Sequence, residues 1–517
     1  MPRLTALALA FSSLAIAQMP ADFDARVKAI MARPEYRHSR FGMEFYSLDQ
    51  GKVLYALHPQ ELFIPASTTK LVTVGSALEL LGPDFQFHTR VYRAGPIEGD
   101  TLHGDLVLVA SGDPDLSNRI QPDGTLAFEN EDHTYDGFSA AKPVPGDPLI
   151  VLRQLAAQVL AAGVKHIEGH VRVDASLFPE GKRELGTHTA ISPMVINDNV
   201  VDVTVTPSRE GDAPILTISP LTRYVAIRNE VKTVAAGGET VLKWNHDTQN
   251  ADGTHSVTLS GTIPITSKPR LRAYRVPSPS RFAEMAFAQV LATAGIRIGG
   301  RDMPVDRVYT SENQLAEHVS PPLREETKVI LKVSQNLHAS MLPYIVGAVL
   351  DKEKLDKQKD DAEEAGFRRE AEVLKKADLD LSGAAQSDGA GGAALFAPDF
   401  MVQYLLHLTR QPFFPDFLKG LPILGKDGTL FDIQKDSPAA GHVFAKTGTF
   451  GADNALSGGG VVTAKGLAGF IDTKDGHRLV FAAYINFVPF AEMNEDSTQK
   501  VGQALGEIAA AAASAEF

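Results

Sequence analysis

Two hydrophobic periods alternate along the chain. Phe41-Gly42-Met43-Glu44-Phe45 alternates in and out, Asp49-Gln50-Gly51 carries turn chemistry, and Val53-Leu54-Tyr55 returns, so residues 41–56 read as a β-hairpin. Pro65 disfavours helix in the residue before it. Beyond it Leu71, Val72, Val74, Ala77, Leu78 and Leu81 recur at helical spacing, which predicts a helix over 67–81 with Gly82 at its C-cap. Residues 85–304 change character. Short alternating runs such as 104–109 and 201–205, punctuated by Ser111-Gly112-Asp113-Pro114 and Ala236-Gly237-Gly238, predict a mostly β region with one helix, 148–162. Helical patterning returns from about residue 317. The stretch 337–350 is apolar, 351–376 is densely charged with mixed signs and reads as a solvated helix or loop, and 400–408 is a further helix. Strands are then expected at 443–447, 466–473 and 478–487, with an Ala-rich final helix at 506–515.

Composition narrows the class. With 517 residues, 44% hydrophobic and 22% charged, the chain is a folded protein of two to four domains, not a disordered, collagen-like or coiled-coil one. A net charge of −13 removes the basic surface that nucleic-acid binding or a polybasic membrane anchor needs. The absence of cysteine excludes disulfides, thiolate zinc sites and a thiol nucleophile. Residues 1–17 carry Arg3, an uncharged apolar run and Ala15-Ile16-Ala17, the pattern of a secretory signal peptide. No second apolar run of about 18 residues follows, so the expected location is the periplasm or cell envelope, with at most peripheral membrane association.

Three short motifs could carry chemistry. In Ser67-Thr68-Thr69-Lys70, helical spacing puts the Lys70 amine beside the Ser67 hydroxyl, where a lysine of lowered pKa could take the serine proton. About two such matches are expected by chance in a chain this long, and Ser497-Thr498-Gln499-Lys500 is a second one. Ser334-Gln335-Asn336 opens the apolar helix and has a rival in Ser311-Glu312-Asn313, and a helix cap or turn is the competing role for both. Lys446-Thr447-Gly448-Thr449 ends a strand. Its cation and hydroxyls could hold a carboxylate, and Gly448 would admit close approach. Lys-Thr-Gly is the most specific of the three, expected roughly 0.1 times per chain.

The order Ser-x-x-Lys, Ser-x-Asn, Lys-Thr-Gly, with the first motif on a helix and the third on a strand, resembles the penicillin-binding and active-site-serine β-lactamase superfamily. The long gap from Lys70 to Ser334 resembles the D-Ala-D-Ala carboxypeptidase/endopeptidase family, the class C low-molecular-mass penicillin-binding proteins, which carry inserted β-rich domains at this point. Further similarity lies in Ser111-Gly112-Asp113-Pro114, Asn197-Asp198-Asn199, Gly425-Lys426-Asp427-Gly428-Thr429-Leu430 and Leu467-Ala468-Gly469-Phe470. The resemblance implies an α+β fold: a penicillin-binding/β-lactamase-like catalytic domain over 18–85 and 306–517, an inserted β-rich domain over 86–111 and 189–305, and a smaller nested domain over 112–188.

It implies a serine DD-peptidase acting on peptidoglycan stem peptides, with β-lactams as covalent inhibitors and no metal or cofactor required. Ser67 would be the nucleophile and Lys70 its base. Ser334 would relay a proton, Asn336 would orient Lys70 or substrate, and Lys446, Thr447, Gly448 and Thr449 would bind the terminal carboxylate. The backbone N–H groups of Ser67 and Thr449 would form the oxyanion hole. Departures from the family pattern keep a catalytically weak peptidoglycan-binding homologue as one alternative, and a β-lactamase or esterase on the same catalytic plan is another, which the long insert disfavours. The loop Ser387-Asp388-Gly389-Ala390-Gly391-Gly392 lacks the usual later hydroxyls, and 451–463 holds an extra glycine-rich piece. A Ser-His-Asp hydrolase is disfavoured, because no G-x-S-x-G elbow occurs. His338, beside the second motif, reads as a packing or surface residue.

Overall fold

The computed structural model describes residues 19–303, 308–352, 361–492 and 494–516. The expected signal segment 1–17 and the expected domain boundary at 305–306 lie outside them. A five-stranded antiparallel sheet forms the centre, in the order Val443–Asn454, Gly459–Asp472, Arg478–Phe490, Arg40–Ser47, Lys52–Leu57. Its middle strand is apolar on both faces because both are covered. Leu479, Phe481, Ala483 and Ile485 point into one core, beneath the helices Ala21–Met31 and Glu495–Ala513. Val480, Ala482 and Tyr484 point into the other, which the helices Lys70–Leu81, Asn336–Leu350 and Pro398–Leu408 complete. The fold is α+β, as expected.

The chain leaves this body after Gly82 and returns through Gln314–Val319, which pairs antiparallel with His88–Ala94, so departure and return lie side by side. A four-stranded sheet grows from that pair through Asp105–Val109 to Val171–Asp174. Two three-stranded sheets follow within 200–275. The helix Ile150–Ala161 and strand Val171–Asp174, which lie in segment 112–188, share a core with Val201, Tyr224 and Phe282 from 189–305.

Several elements differ from the expected pattern. A second helix, Pro279–Thr293, lies in the region read as having one. Its stripe is present in the sequence as Phe282, Ala283, Ala286, Phe287, Val290 and Leu291. The final helix begins at Glu495, eleven residues before the Ala-rich run (506 − 495). Its first turn is polar but capped by Asn494, which accepts from Ser497 N at 3.0 Å, an interaction typically worth about 0.5–2 kcal/mol. The charged stretch contains the helix Ala362–Lys376. This helix packs backbone to backbone on Asn336–Leu350, and a Cβ at Gly366 would stand 1.9 Å from Pro343 O. The glycine-rich 451–463 piece prolongs the hairpin between the first two sheet strands, with pairing down to Asn454↔Gly459.

Candidate active site

The serine turn sits against the sheet because two glycines leave the sheet without side chains there. Gly448 pairs across strands with Gly466. A Cβ at Gly448 would stand 2.3 Å from Pro65 O and 3.2 Å from Ser67 N, and one at Gly466 would stand 3.0 Å from Pro65 O. The glycine pair thus lets the third motif touch the backbone that presents Ser67. From the other side Gly391 closes on Ala66 O, at a positive φ of 96° that favours glycine. Residues Ala66–Thr69 form a 3₁₀ turn, and the α-helix proper starts at Lys70. Gly448→Ala therefore has to push the strand off the serine turn. We expect kcat/KM to fall about 10²-fold from a misplacement of order 1 Å, with a Tm loss that differential scanning calorimetry would register.

Lys70 is fully buried. Its Nζ lies 2.8 Å from Ser67 Oγ, 2.9 Å from Ser334 O, 3.1 Å from Ser334 Oγ and 2.5 Å from Asn336 Oδ1. Among the described residues no carboxylate hydrogen-bonds it. Burial lowers its pKa to about 7, against the weaker opposing pull of Glu184, Asp388 and Asp132. Ser334 sits between the helices Leu323–Lys332 and Asn336–Leu350 at φ 64°, a conformation uncommon for a residue with a Cβ. Gln335 caps the second helix, accepting from Leu337 N at 2.6 Å. So the middle residue of the motif is structural, while its neighbours face Lys70.

Lys446 is also fully buried, with its Nζ 2.9 Å from Thr447 O. Burial, then the charges of Lys70 and Lys465, hold its pKa well below the usual lysine range. Such an ammonium gains most from an incoming carboxylate, which supplies the missing counter-charge. Thr447 Oγ1 bonds Thr429 Oγ1 at 2.7 Å. Thr449 pairs across strands with Lys465, whose Nζ reaches Thr449 Oγ1 at 2.8 Å. Burial lowers the Lys465 pKa to about 8. Ser67, Ser334, Thr447, Thr449, Lys465 and Tyr135 line one cleft of about 300 Å³. All eight residues expected from the three motifs converge at this cleft or directly on the residues that line it.

Three contributors were absent from the sequence reading, and a fourth, Asp388, figured there only as a member of the divergent loop. Tyr135 donates to Ser334 O at 2.7 Å, the carbonyl that also faces Lys70. Its phenol is pushed well above the usual value by burial, so it stays a donor. Gly186 approaches Asn336 so closely that a Cβ there would stand 1.9 Å from Asn336 Nδ2. Both come from the segment 112–188, far away in sequence. Lys465 stands one residue before the expected strand start at 466. Asp388 organises the divergent loop, its carboxylate accepting from the backbone N–H groups of Ala390, Gly391, Gly392 and Ala393. The loop that lacks the later hydroxyls is therefore a structured turn.

The competing motif matches have structural roles. Ser497 Oγ bonds Glu492 O and Asn494 Oδ1, and Lys500 pairs with Glu35 on the surface. Asn313 bonds Val308 O in its turn. His338 is not at the surface. It is buried between Glu326, 2.7 Å from Nδ1, and Asp198, 2.9 Å from Nε2. Asp198 also faces His133 at 2.7 Å and Arg119 at 2.5 Å. Removing one partner from a buried network of this kind typically costs about 3–5 kcal/mol.

The model of the D-Ala-D-Ala carboxypeptidase 3 (S13) family matches residues 23–510. A D-alanyl-D-alanine carboxypeptidase of Actinomadura sp. (strain R39) is 27% identical over 464 residues, which is 84% of this chain and 77% of that one. D-alanyl-D-alanine carboxypeptidase DacB of Haemophilus influenzae is 24% identical, covering 87% of this chain and 85% of that one. The crystal structure of penicillin binding protein 4 from Haemophilus influenzae superposes with a TM-score of 0.70 at 20% identity, covering 94% and 97% of the two chains. The same fold therefore brings a serine, two lysines and the strand of the third motif together here, and the chain belongs to the D-Ala-D-Ala carboxypeptidase 3 (S13) family.

Proposed function

We propose that the serine DD-peptidase activity of this chain runs through an acyl-Ser67 ester built by the three motifs. The observation that carries this is the buried Lys70 amine, 2.8 Å from Ser67 Oγ and lowered to about pKa 7. In the neutral form it takes the Ser67 proton as Oγ attacks the carbonyl between two D-alanines, or that of a D-Ala–diamino-acid crosslink. Lys446, Thr447 and Thr449 hold the terminal carboxylate. The N–H groups of Ser67 and Thr449 receive the oxyanion, each donor typically worth about 3–4 kcal/mol. The C–N bond then breaks, and the Lys70 proton reaches the leaving amine through Ser334 Oγ, 3.1 Å from Lys70 Nζ. Asn336 Oδ1 keeps the amine aimed. Water attacks the ester carbonyl as Lys70 takes its proton, the bond from the acyl carbon to Ser67 Oγ breaks, Lys70 passes the proton back to Oγ, and the acid product leaves.

A β-lactam enters the same attack. A penicillin binding protein 4 structure from Haemophilus influenzae was solved with one, which supports the same reactivity here. We assign the substrate to peptidoglycan stem peptides and the protein to the cell envelope. Among the described residues no helix is long and apolar enough to cross a membrane. We also keep the division into an 18–85/306–517 catalytic domain, an 86–111/189–305 insert and a nested 112–188 segment as a proposal. The test joins two readings. A peptide ending in D-Ala-D-Ala should release D-alanine, and mass spectrometry should find penicillin on the Ser67 peptide. A penicillin adduct on another residue, or hydrolysis with no adduct at Ser67, would reject the assignment.

A further inference from the structure

We propose that Asp115, Glu326 and His338 form a structural binding site for a first-row divalent cation of the zinc class, separate from the catalytic cleft. One ligand atom of each lies within 4.8 Å of the other two, and all three residues are buried. Three features distinguish the cluster from an ordinary ion-pair network. First, Asp115 Oδ1 and Glu326 Oε2 meet no donor among the described residues other than each other's carboxyl group, although both are shielded from water. A buried carboxylate oxygen without a donor is costly, and a cation supplies what a donor would. Second, His338 holds Asp198 Oδ1 at 2.9 Å through Nε2 and Glu326 Oε1 at 2.7 Å through Nδ1, so a cation would bind by displacing the proton held between Nδ1 and Glu326. A carboxylate on the far nitrogen fixes the tautomer that ligates through the near one.

Third, the neighbouring cluster of Asp132, His133 and Asp198 contains its own cation, Arg119, paired with Asp132 at 2.6 Å and Asp198 at 2.5 Å. No guanidinium or ammonium reaches Asp115 or Glu326 among the described residues, where the basic group facing Glu326 is His338 itself. Two residues before Asp115, Asp113 Oδ1 accepts from Asp115 N at 2.9 Å in an Asx turn, while its Oδ2 and His318 Nε2 remain without a hydrogen bond, 3.6 Å apart. That gap is too long for a hydrogen bond. Imidazole plus carboxylate donors suit zinc or manganese better than calcium or magnesium.

The cluster joins three parts of the chain. Asp113 and Asp115 follow the strand Asp105–Val109, Glu326 lies on Leu323–Lys332, and His338 lies on the helix that begins at Asn336. A cation there would fasten the insert to the helix that holds the second motif. The test uses the full chain, dialysed against a chelator and then titrated with zinc chloride and with manganese chloride. The expected result is about one equivalent of metal retained through gel filtration and a Tm higher by several degrees. Asp115→Asn, nearly isosteric, should abolish both, as should His338→Gln if it folds. The idea is overturned if the wild type retains no stoichiometric metal. It is also overturned if Asp115→Asn keeps the metal-dependent rise in Tm, or if that variant is more stable than metal-free wild type with no metal effect on either, which would identify a proton shared by the carboxylates.

Discussion

Ser67→Ala is expected to lower kcat/KM for D-alanine release by at least about 10⁴-fold, the scale of losing a nucleophile in serine hydrolases. At 1.36 kcal/mol per decade that is about 5.4 kcal/mol of transition-state stabilisation. The change should leave the fold alone. Ser67 is half-buried, and Lys70 keeps Ser334 O, Ser334 Oγ and Asn336 Oδ1 when Oγ is removed. Penicillin labelling must vanish in the same variant while circular dichroism and Tm stay near wild type. A variant that still releases D-alanine at more than about 1% of the wild-type rate would show that another group forms the covalent intermediate. A variant that binds penicillin non-covalently with unchanged affinity would show that the carboxylate cradle survives without the nucleophile.

The motif residues were legible because each carries its chemistry in its own side chain and a local spacing. The i to i+3 step predicts the contact between Ser67 and Lys70, and the structure has it at 2.8 Å. The central sheet was legible for a similar reason, since its strands alternate or run apolar between clear turns. What stayed hidden depends on distant pairing. Nothing near Tyr135 marks it as the donor to Ser334 O, because 199 residues separate them. Gly466 gains meaning only once strand register sets it opposite Gly448. His338 seemed unremarkable in an apolar helix until Glu326 and Asp198 closed on it from two other segments. The helix Pro279–Thr293 was missed for a different reason. Its stripe is regular, but it follows a long run of strand-like segments and its first turn, beginning Pro279-Ser280-Arg281, resembles a loop.

The pH profile is the sharpest consequence of Lys70's surroundings. An ordinary lysine titrates near 10.4 and would be almost wholly protonated at neutral pH. Here burial lowers the value to about 7, so about half of the free enzyme carries a neutral amine at pH 7. Only that form can accept the Ser67 proton. Below pH 7, kcat/KM for acylation should therefore fall about tenfold per pH unit, and above it the rise should flatten. A falling limb should appear on the alkaline side as the cationic wall loses charge, since burial also lowers Lys465 to about 8 and Lys446 well below its usual range. A bell centred between pH 7 and 8, measured by penicillin acylation under single-turnover conditions, is the expected outcome. Lys70→Gln should lose between about 10² and 10⁴-fold in acylation and erase the rising limb, while any residual rate becomes independent of pH in that range. A wild-type rate still climbing at pH 9 would mean that the base titrates well above 7, either because Lys70 keeps an ordinary pKa or because another group takes the proton. Ser334 would then be the residue to replace next, because its Oγ is the other hydroxyl within 3.1 Å of the amine.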